Sequence, residues 1–479
     1  MEELGTGGFT GLAAVGRGSL GGVRGRTLVG AAFLTAMSLA APSRATLDLA
    51  LRREGDPDTY VQPTLRLDSA LFAESHSWAG NARELLGDRN RGWGEFGVTP
   101  GLDGQLSLGE AGTFRARVSG VFTTTQFGLD AAGSNLDDRH PHETTLEDAY
   151  LGWRSGNLFP SLGTDAIDLS VGSQPYQVGT GFLFYDGGTD GGRRGGYWLD
   201  LRKAFRMTAI ARLKTGPFLA EAVYVRPNDR PDSRTDVAGL NLEWSLDERA
   251  SVGAGYWKVY DSDDERRDGL NVFDLRFDGS PLKDRNVLPG LRLSGEVAHE
   301  RNGTRNDSWG AYGEVGYALD HVPWKPHVSY RYAHFTGDDG KGKNTAFDPL
   351  FYGLGDWGTW FQGEIAGEYV ATNRNLRSHT LRVRAQPTDD VTVNLLYFFF
   401  RLDEFANQID PRPPTNSRAA LIKDKNLAHE VDLAVDWSVN DYLSVSAVAG
   451  LLAPVSGGKD FFEDDEIWTH FMLALTVRY

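Results

Sequence analysis

The sequence contains no cysteine among its 479 residues. A disulfide-stabilised scaffold and any metal site built on thiolates are therefore excluded. Positive charge is also scarce, since 49 lysines and arginines face 65 aspartates and glutamates, for a formal net charge of −16. A nucleic-acid partner is not expected, because neutralising phosphates requires surplus positive charge.

Long apolar runs are missing as well. After residue 46 no run reaches the roughly 20 residues that a transmembrane helix needs, and the strongest apolar cluster, Leu395–Phe400, has the length of a strand. No linker or low-complexity tract divides this part of the chain into separate domains. If the protein lies in a membrane, it must therefore do so as a closed barrel, which satisfies its own backbone hydrogen bonds in lipid.

The N-terminal region differs from the rest of the chain. An apolar run, Thr27–Ala41, follows several arginines and is itself followed by the small-residue site Ser43-Arg44-Ala45. This order is typical of a secretory signal peptide. We predict a signal peptide over residues 1–45 and an outer-membrane β-barrel over residues 46–479, the alternative for the first segment being a buried helix of a soluble domain.

Apolar and polar residues alternate with a period of two from about residue 60 to the last residue. In the final segment Phe471, Leu473 and Val477 fall on one face, while Thr476 and Arg478 fall on the other. A soluble sandwich or solenoid can show such strands, but a barrel with lipid outside and water inside needs this pattern in every strand. Several aromatic residues near strand ends are expected to form interfacial girdles. They are Trp153, Trp244, Trp257, Trp324, Tyr397 and Trp437.

Short and long connections alternate along the chain. Nine long ones imply eighteen strands, within a range of 16 to 20, with long extracellular loops and short periplasmic turns. The predicted long loops cover about residues 76–90, 128–142, 176–203, 227–235, 261–269, 301–308, 337–375, 404–424 and 455–466. The predicted fold class is therefore all-β, a single transmembrane antiparallel barrel in the bacterial outer membrane.

Several motifs resemble the bacterial alginate-export family of outer-membrane barrels, and the likeness extends loosely over most of residues 60–479. The motifs are Thr145–Leu151, Leu169–Pro175, Phe347–Gly353, Trp357–Glu364, Leu381–Arg384 and Pro387-Thr388. The resemblance implies an 18-stranded barrel, no cofactor, and passage of a polyanionic polysaccharide through an arginine-lined lumen.

The alternation also predicts which arginines face the lumen. A guanidinium offers a planar fork to a carboxylate, and rows of them can pass an anion from site to site. The alternative is a weakly selective porin, in which these charges pair with lumen carboxylates on neighbouring strands. The predicted solute path consists of Arg115, Arg117, Arg212, Arg276, Arg292, Arg331, Arg382 and Arg384.

Three loop aromatics, Trp357, Trp360 and Phe361, form a second candidate site. Aromatic faces stack on sugar rings, although such a loop can equally pack on itself as a lid. No metal site and no cofactor-binding site is predicted from the sequence.

Two other function classes remain open. A barrel enzyme would need a histidine with a carboxylate or serine at one rim, and His140 and His142 beside Glu143 are the best candidates. A structural barrel plugged by its loops is the other class. We predict a non-enzymatic channel that passes a hydrophilic, anionic, saccharide-type solute by passive diffusion. The expected partners are outer-membrane lipid and lipopolysaccharide, the barrel-assembly machinery and periplasmic export partners.

Overall fold

The computed structural model describes residues 51–53, 55–81, 88–246, 249–283, 288–353, 362–405 and 422–479. The chain divides into two units, Met1–Leu47 and Asp48–Tyr479. The predicted signal peptide, residues 1–45, lies outside the described residues and stays a prediction. Among the residues described, no helix combines the length and the apolar character needed to cross a membrane.

The described part of the second unit is one antiparallel sheet whose strands follow the order of the chain. A short strand, β1 (Leu51–Arg53), pairs with β2. The remaining strands are β2 (Asp56–Ser75), β3 (Arg91–Ser107), β4 (Thr113–Gln126), β5 (His142–Arg154), β6 (Ile167–Gln174), β7 (Phe205–Thr215), β8 (Phe218–Arg226), β9 (Asp236–Leu246), β10 (Ala250–Asp261), β11 (Asn271–Gly279), β12 (Leu291–Asn302), β13 (Asn306–Ala318), β14 (His327–Phe335), β15 (Leu376–Thr388), β16 (Val391–Leu402), β17 (Asn426–Ser438), β18 (Leu443–Pro454) and β19 (Trp468–Arg478).

The sheet closes on itself, because β19 pairs with β2 as well as with β18. Thr469 lies opposite Ser75, and Arg478 lies opposite Arg66. Within the described residues, β2–β19 therefore form a closed barrel of eighteen strands. The predicted fold class and strand number are confirmed. Closure matters because an open sheet edge would leave unpaired backbone groups in lipid.

The two faces of the strands separate as the alternation predicts. On β19, Phe471 is 51% exposed while its neighbour Met472 is 1% exposed. The outward face carries large apolar residues such as Leu151 and Leu275, whereas Glu95 and Asp432 on the inward face are buried. A step of one residue moves a side chain from one face of a strand to the other. The outside of the barrel is therefore an apolar surface suited to lipid.

Helical segments are short and lie in the connections. In the part of the chain that the structure describes, they are three 3-10 turns, Ser77–Gly80, Gly109–Ala111 and Gly192–Arg194, a π-helical segment, Gly363–Val370, and one α-helix, α1 (Ser456–Phe462).

Two sequence expectations are wrong in detail. The predicted long loop 301–308 is a tight hairpin, since β12 runs to Asn302 and β13 begins at Asn306. Polar residues continue the ladder there because strand ends beyond the bilayer need no apolar side chains. Trp257, expected in the interfacial girdle, points inward, is 1% exposed, and donates from Nε1 to Asp274 Oδ1 at 3.0 Å. Its aromatic character alone could not reveal which face it occupies.

Candidate functional site

Two long loops fold into the barrel and meet there. We name them L3, residues 175–204, and L7, residues 336–375, of which residues 354–361 lie outside the described part. The backbone N–H of Tyr185 donates to the Phe351 carbonyl at 2.8 Å, and the N–H of Phe351 donates to the Leu183 carbonyl at 2.9 Å. L3 and L7 are thus joined by backbone hydrogen bonds into one insertion.

Aromatic side chains attach this insertion to the inner wall. Phe182 packs near Phe335 of β14, with ring centroids 5.9 Å apart. Phe184 packs on Trp257 of β10 at 4.4 Å. Both phenylalanines are fully buried. Aromatic pairs of this kind stabilise beyond their buried area, so the loops are part of the barrel's core.

An ion pair connects L7 to the loop between β10 and β11. The Arg267 guanidinium donates twice to the Asp348 carboxylate, each time at 2.8 Å. Burial alone would raise the pKa of Asp348, but the Arg267 charge holds that pKa at about 2. The pair therefore remains ionised under ordinary conditions and restrains the first half of L7.

The second half of L7 rests on what we name the acidic wall: the inward carboxylates Glu74 of β2, Glu95 of β3, and Glu430 and Asp432 of β17. Glu430 accepts the backbone N–H groups of Ile365 and Ala366 at 2.7 and 2.8 Å, and Asp432 accepts that of Glu364 at 2.9 Å. These are the N–H groups at the start of the π-helical segment, which would otherwise lack partners.

Gly363 allows this close approach. Its φ of 86° lies in a region that glycine adopts readily. A Cβ at this position would lie 2.5 Å from Glu430 Oε1. A larger residue would therefore push L7 away from the acidic wall.

His470 and the carboxylates of Glu74 and Glu95 add further contacts between the acidic wall and the two loops. His470 Nδ1 lies 2.8 Å from Glu74 Oε1, and its Nε2 lies 3.5 Å from Glu364 Oε1. The indole N–H of Trp198 in L3 donates to Glu364 Oε1 at 2.8 Å. Glu95 accepts the backbone N–H groups of Trp198 and Leu199, each at 2.9 Å. The acidic wall therefore anchors both loops.

Another part of the inner wall holds a cavity of about 670 Å³. It lies at the ends of β11–β15 nearest the short turns, and we name it the basic cavity. Thr180 of L3 and Tyr312 of β13 also line it, so L3 bounds the cavity on one side. Its basic lining residues are Lys283, Arg292, Lys325, Arg331, Arg382 and Arg384, and its acidic ones are Asp278, Glu314 and Asp320.

The structure brings four of the eight predicted path arginines together in this cavity. Arg331 and Arg382 share one carboxylate, Glu314, at 2.7 and 3.3 Å. Arg292 pairs with Asp278 at 2.8 Å. Arg384 is exposed and makes no ion pair within the described residues. The cavity therefore carries more positive charge than its carboxylates neutralise.

The other four predicted arginines lie elsewhere on the inner wall, each beside at least one carboxylate. Arg115 lies 2.5 Å from Asp168, and Arg212 lies 2.5 Å from Glu221. Arg117 has two partners, Asp103 at 2.7 Å and Asp148 at 2.8 Å. Arg276 contacts Asp274 and lies 3.1 Å from Glu243. Arg117 and Arg212 pair with carboxylates on neighbouring strands, whereas Arg115 reaches from β4 to β6 and Arg276 reaches from β11 to β9. The loop aromatics Trp357, Trp360 and Phe361 lie outside the described residues.

Among the lysines, arginines and histidines of the cavity, sequence reasoning missed Lys283, Lys325 and His327. Lys283 and Lys325 sit in turns, where strand alternation says nothing about direction. His327 begins β14, and its inward position follows from the same period that places Arg331. Only His327 could have been found from the pattern. The candidate catalytic residues His140 and His142 lie at an exposed outer loop, with His142 Nδ1 3.1 Å from the His140 carbonyl.

Comparisons with known proteins agree with this architecture. A family model described as Alginate export matches residues 196–457, more than half of the chain. No curated protein matches the sequence.

Solved structures share the fold at low identity. The outer membrane protein OpdK from Pseudomonas aeruginosa is 11% identical, with a TM-score of 0.53, over 88% of this chain and 98% of that one. OccAB2 from Acinetobacter baumannii is 12% identical, with a TM-score of 0.53 and the same coverage. OccK7 (OpdD) from Pseudomonas aeruginosa is 11% identical, again with a TM-score of 0.53 and the same coverage. At this identity the likeness concerns the fold alone.

Proposed function

The chain belongs to the alginate-export family, and from that premise we propose that it passes an anionic, saccharide-type solute by passive diffusion. The closed barrel with its apolar exterior is a bacterial outer-membrane channel, and both family and fold indicate a channel rather than an enzyme. The nature of the solute and the absence of a chemical step are our proposal.

The basic cavity is the observation that carries this proposal. Six basic residues line it against three acidic ones. Its volume of about 670 Å³ lies in the range of small-molecule sites. A carboxylated sugar would exchange its hydration for guanidinium hydrogen bonds there, and the planar fork of arginine fits a carboxylate. We expect the exposed Arg384 and Lys325 to meet the solute first.

A weakly selective porin is the second candidate, and a specific observation favours it. Arg115, Arg117 and Arg212 each lie within 2.8 Å of a lumen carboxylate. Arginines paired with carboxylates present both positive and negative charge to a solute in the lumen. The anion-selective channel requires that the basic cavity dominate the electrostatic potential along the lumen, and the weakly selective porin does not.

The experiment compares two arginine pairs in planar bilayers. In both pairs the residues are two apart on one strand and face the lumen. Arg382→Gln with Arg384→Gln removes one arginine that shares Glu314 with Arg331 and one that makes no ion pair among the described residues. Arg115→Gln with Arg117→Gln removes two arginines that each have a carboxylate partner. We expect the first variant to shift the reversal potential in a salt gradient toward cations, and more so at low salt, where screening is weaker.

The second measurement uses the solute class itself. Oligosaccharides of uronic acids should reduce the current through the parent channel more than neutral oligosaccharides of equal length, and Arg382→Gln with Arg384→Gln should remove that difference. Equal reversal potentials for both double variants and the parent, with no preference for the charged sugar, would overturn the proposal in favour of the weakly selective porin.

A further inference from the structure

A row of rings crosses the lipid-facing surface near the extracellular ends of four strands. Tyr332 of β14 lies opposite His379 of β15, His379 lies opposite Phe399 of β16, and Phe399 lies opposite His429 of β17. The ring centroids of Tyr332 and His379 are 5.0 Å apart, and those of Phe399 and His429 are 4.9 Å apart. We name these four residues the ring row.

A charged row lies directly above it, nearer the long loops. His334 lies opposite Arg377, which lies opposite Arg401. The Asp403 carboxylate lies 2.7 Å from His334 Nε2 and 2.6 Å from an Arg377 nitrogen. Arg401 is exposed, and among the described residues no carboxylate lies within ion-pair distance of it, although Asp424 is near enough for the two charges to interact. This row therefore ends in a cation that faces outward.

Apolar residues continue the same surface below the ring row. Leu381, Leu395 and Val431 are 50%, 49% and 40% exposed. Aromatic residues mark the boundary between hydrocarbon and headgroups in membrane proteins. The ring row thus lies at the outer-leaflet boundary, with the charged row at the level of the headgroups.

Two tyrosines beneath the ring row orient its histidines. The hydroxyl of Tyr330 lies 2.7 Å from His379 Nδ1, and that of Tyr397 lies 2.8 Å from His429 Nδ1. When a hydroxyl donates to Nδ1, the neutral ring carries its proton on Nε2. Neither Nε2 atom has a protein partner within the described residues. Two N–H donors are then available to a headgroup beside Arg401.

We propose that this surface binds the phosphate of an acylated, phosphorylated glycolipid of the outer leaflet, namely lipopolysaccharide. The Arg401 guanidinium and the two imidazole N–H groups supply charge-assisted hydrogen bonds to the phosphate oxygens. The acyl chains cover Leu381, Leu395 and Val431 below. This pairing of a cation with an apolar surface suits an anionic amphiphile and offers nothing comparable to a neutral lipid.

The barrel offers a matched control elsewhere. Arg226 of β8 also lies on the outward face near a long loop, but Asp236 accepts from its Nε at 2.6 Å and from its second nitrogen at 2.5 Å. Tyr224 donates to the same carboxylate at 2.7 Å. Arg226 is therefore already neutralised. Its replacement removes an outward arginine without removing an available cation.

The test measures binding of fluorescent diphosphoryl lipid A to the purified full-length barrel in nanodiscs of neutral phospholipid. The variant combines Arg401→Gln with His379→Phe and His429→Phe, which keeps the rings and removes the donors. We expect its affinity for lipid A to fall about tenfold or more, while Arg226→Gln stays within about twofold of the parent. Heat modifiability on gels shows whether each variant is folded.

A second comparison needs no variant. The parent barrel should bind dephosphorylated lipid A about tenfold less tightly than the diphosphoryl form, and inorganic phosphate should not displace the lipid. The proposal is overturned if both lipid forms bind the parent equally, if the folded triple variant binds as the parent does, or if inorganic phosphate competes as well as lipid A. None of these results depends on which solute the channel passes.

Discussion

The acidic wall and the basic cavity lie on different sides of one lumen and treat charge in opposite ways. Glu95, Glu430 and Asp432 are fully buried and accept backbone N–H groups from L3 and L7. Arg384 and Lys325 are exposed to the cavity. Alternation along the strands thus places both Glu430 and Arg384 in the lumen, yet the first anchors a loop and the second stays accessible.

Hydrogen-bond chemistry explains the difference. Each loop residue other than proline supplies a backbone N–H donor, and each carboxyl group offers two oxygens that can accept. A carboxylate can therefore hold a loop by several short contacts, as Glu430 does with Ile365 and Ala366. A guanidinium has only donors and needs carbonyls or carboxylates, which the loops do not present to Arg384 within the described residues.

Removing the anchors should have the largest effect. Glu430→Ala with Asp432→Ala leaves three N–H groups of L7 without acceptors, at about 1–3 kcal/mol for each buried group. We expect L7 to leave the wall, which should raise single-channel conductance and make L7 sensitive to protease in intact cells. Asp436→Ala is the matched control, because Asp436 lies on the same strand, nearer its short-turn end, and accepts from the Ser446 hydroxyl at 2.6 Å. Unchanged conductance and protease resistance in the folded double variant would show that these carboxylates do not hold L7.

A substitution on the lipid-facing side of a strand tests a surface that belongs to neither the acidic wall nor the basic cavity. Val383 is outward, between the cavity arginines Arg382 and Arg384. Val383→Arg should destabilise the folded barrel by about 2–4 kcal/mol if it lies near the midplane of the bilayer. Arg382→Gln on the adjacent inward position should fold as the parent does. Urea titration in vesicles measures both. Equal stability of the two variants would mean that the faces of β15 are assigned wrongly.

The smallest expected effect is a pH response of L7. Burial, reinforced by the nearby charge of Glu364, raises the pKa of Glu368 well above its ordinary value. A carboxyl with a raised folded pKa stabilises docking fully below its unfolded pKa, and this contribution is lost as the pH rises through the folded value. L7 should therefore loosen as the pH rises.

Glu368→Gln should reduce the rise of conductance between about pH 5 and pH 9, because the amide stays neutral throughout. Glu265→Gln, which changes an exposed carboxyl in the loop between β10 and β11, should leave the response as it is in the parent. A pH response that is identical in the parent and in Glu368→Gln would assign it to other groups.

Much of the architecture was accessible from the sequence. Eight of the nine predicted long loops exist, and the eighteen strands follow from their spacing. The prediction of strand ends was wrong between β12 and β13, where the polar residues Asn302 and Asn306 still pair with each other. The inward position of Trp257 was also missed, since a single aromatic on a strand suits either a girdle or a packed lumen.

The candidate site was only partly accessible. Alternation predicts only that Arg115 and Arg382 both face the lumen. In the structure Arg115 lies beside Asp168, whereas Arg382 shares Glu314 with Arg331. Which carboxylate lies beside which arginine depends on the pairing of strands far apart in the sequence and on the register between them. The attachment of L7 to Glu430 and Asp432, more than 60 residues further along, has no local signal at all.

The sequence by itself determined that this chain forms a barrel, because a period of two repeated from about residue 60 to the last residue leaves each strand with one face for lipid and one for the lumen. It also determined which residues carry charge on the inner face. Only the tertiary structure decided which of those charges anchor L3 and L7 and which remain available in the basic cavity. That division depends on where the loops fold back into the barrel. Backbone N–H groups of the loops bind the carboxylates they reach, and they cannot bind cations such as Arg384.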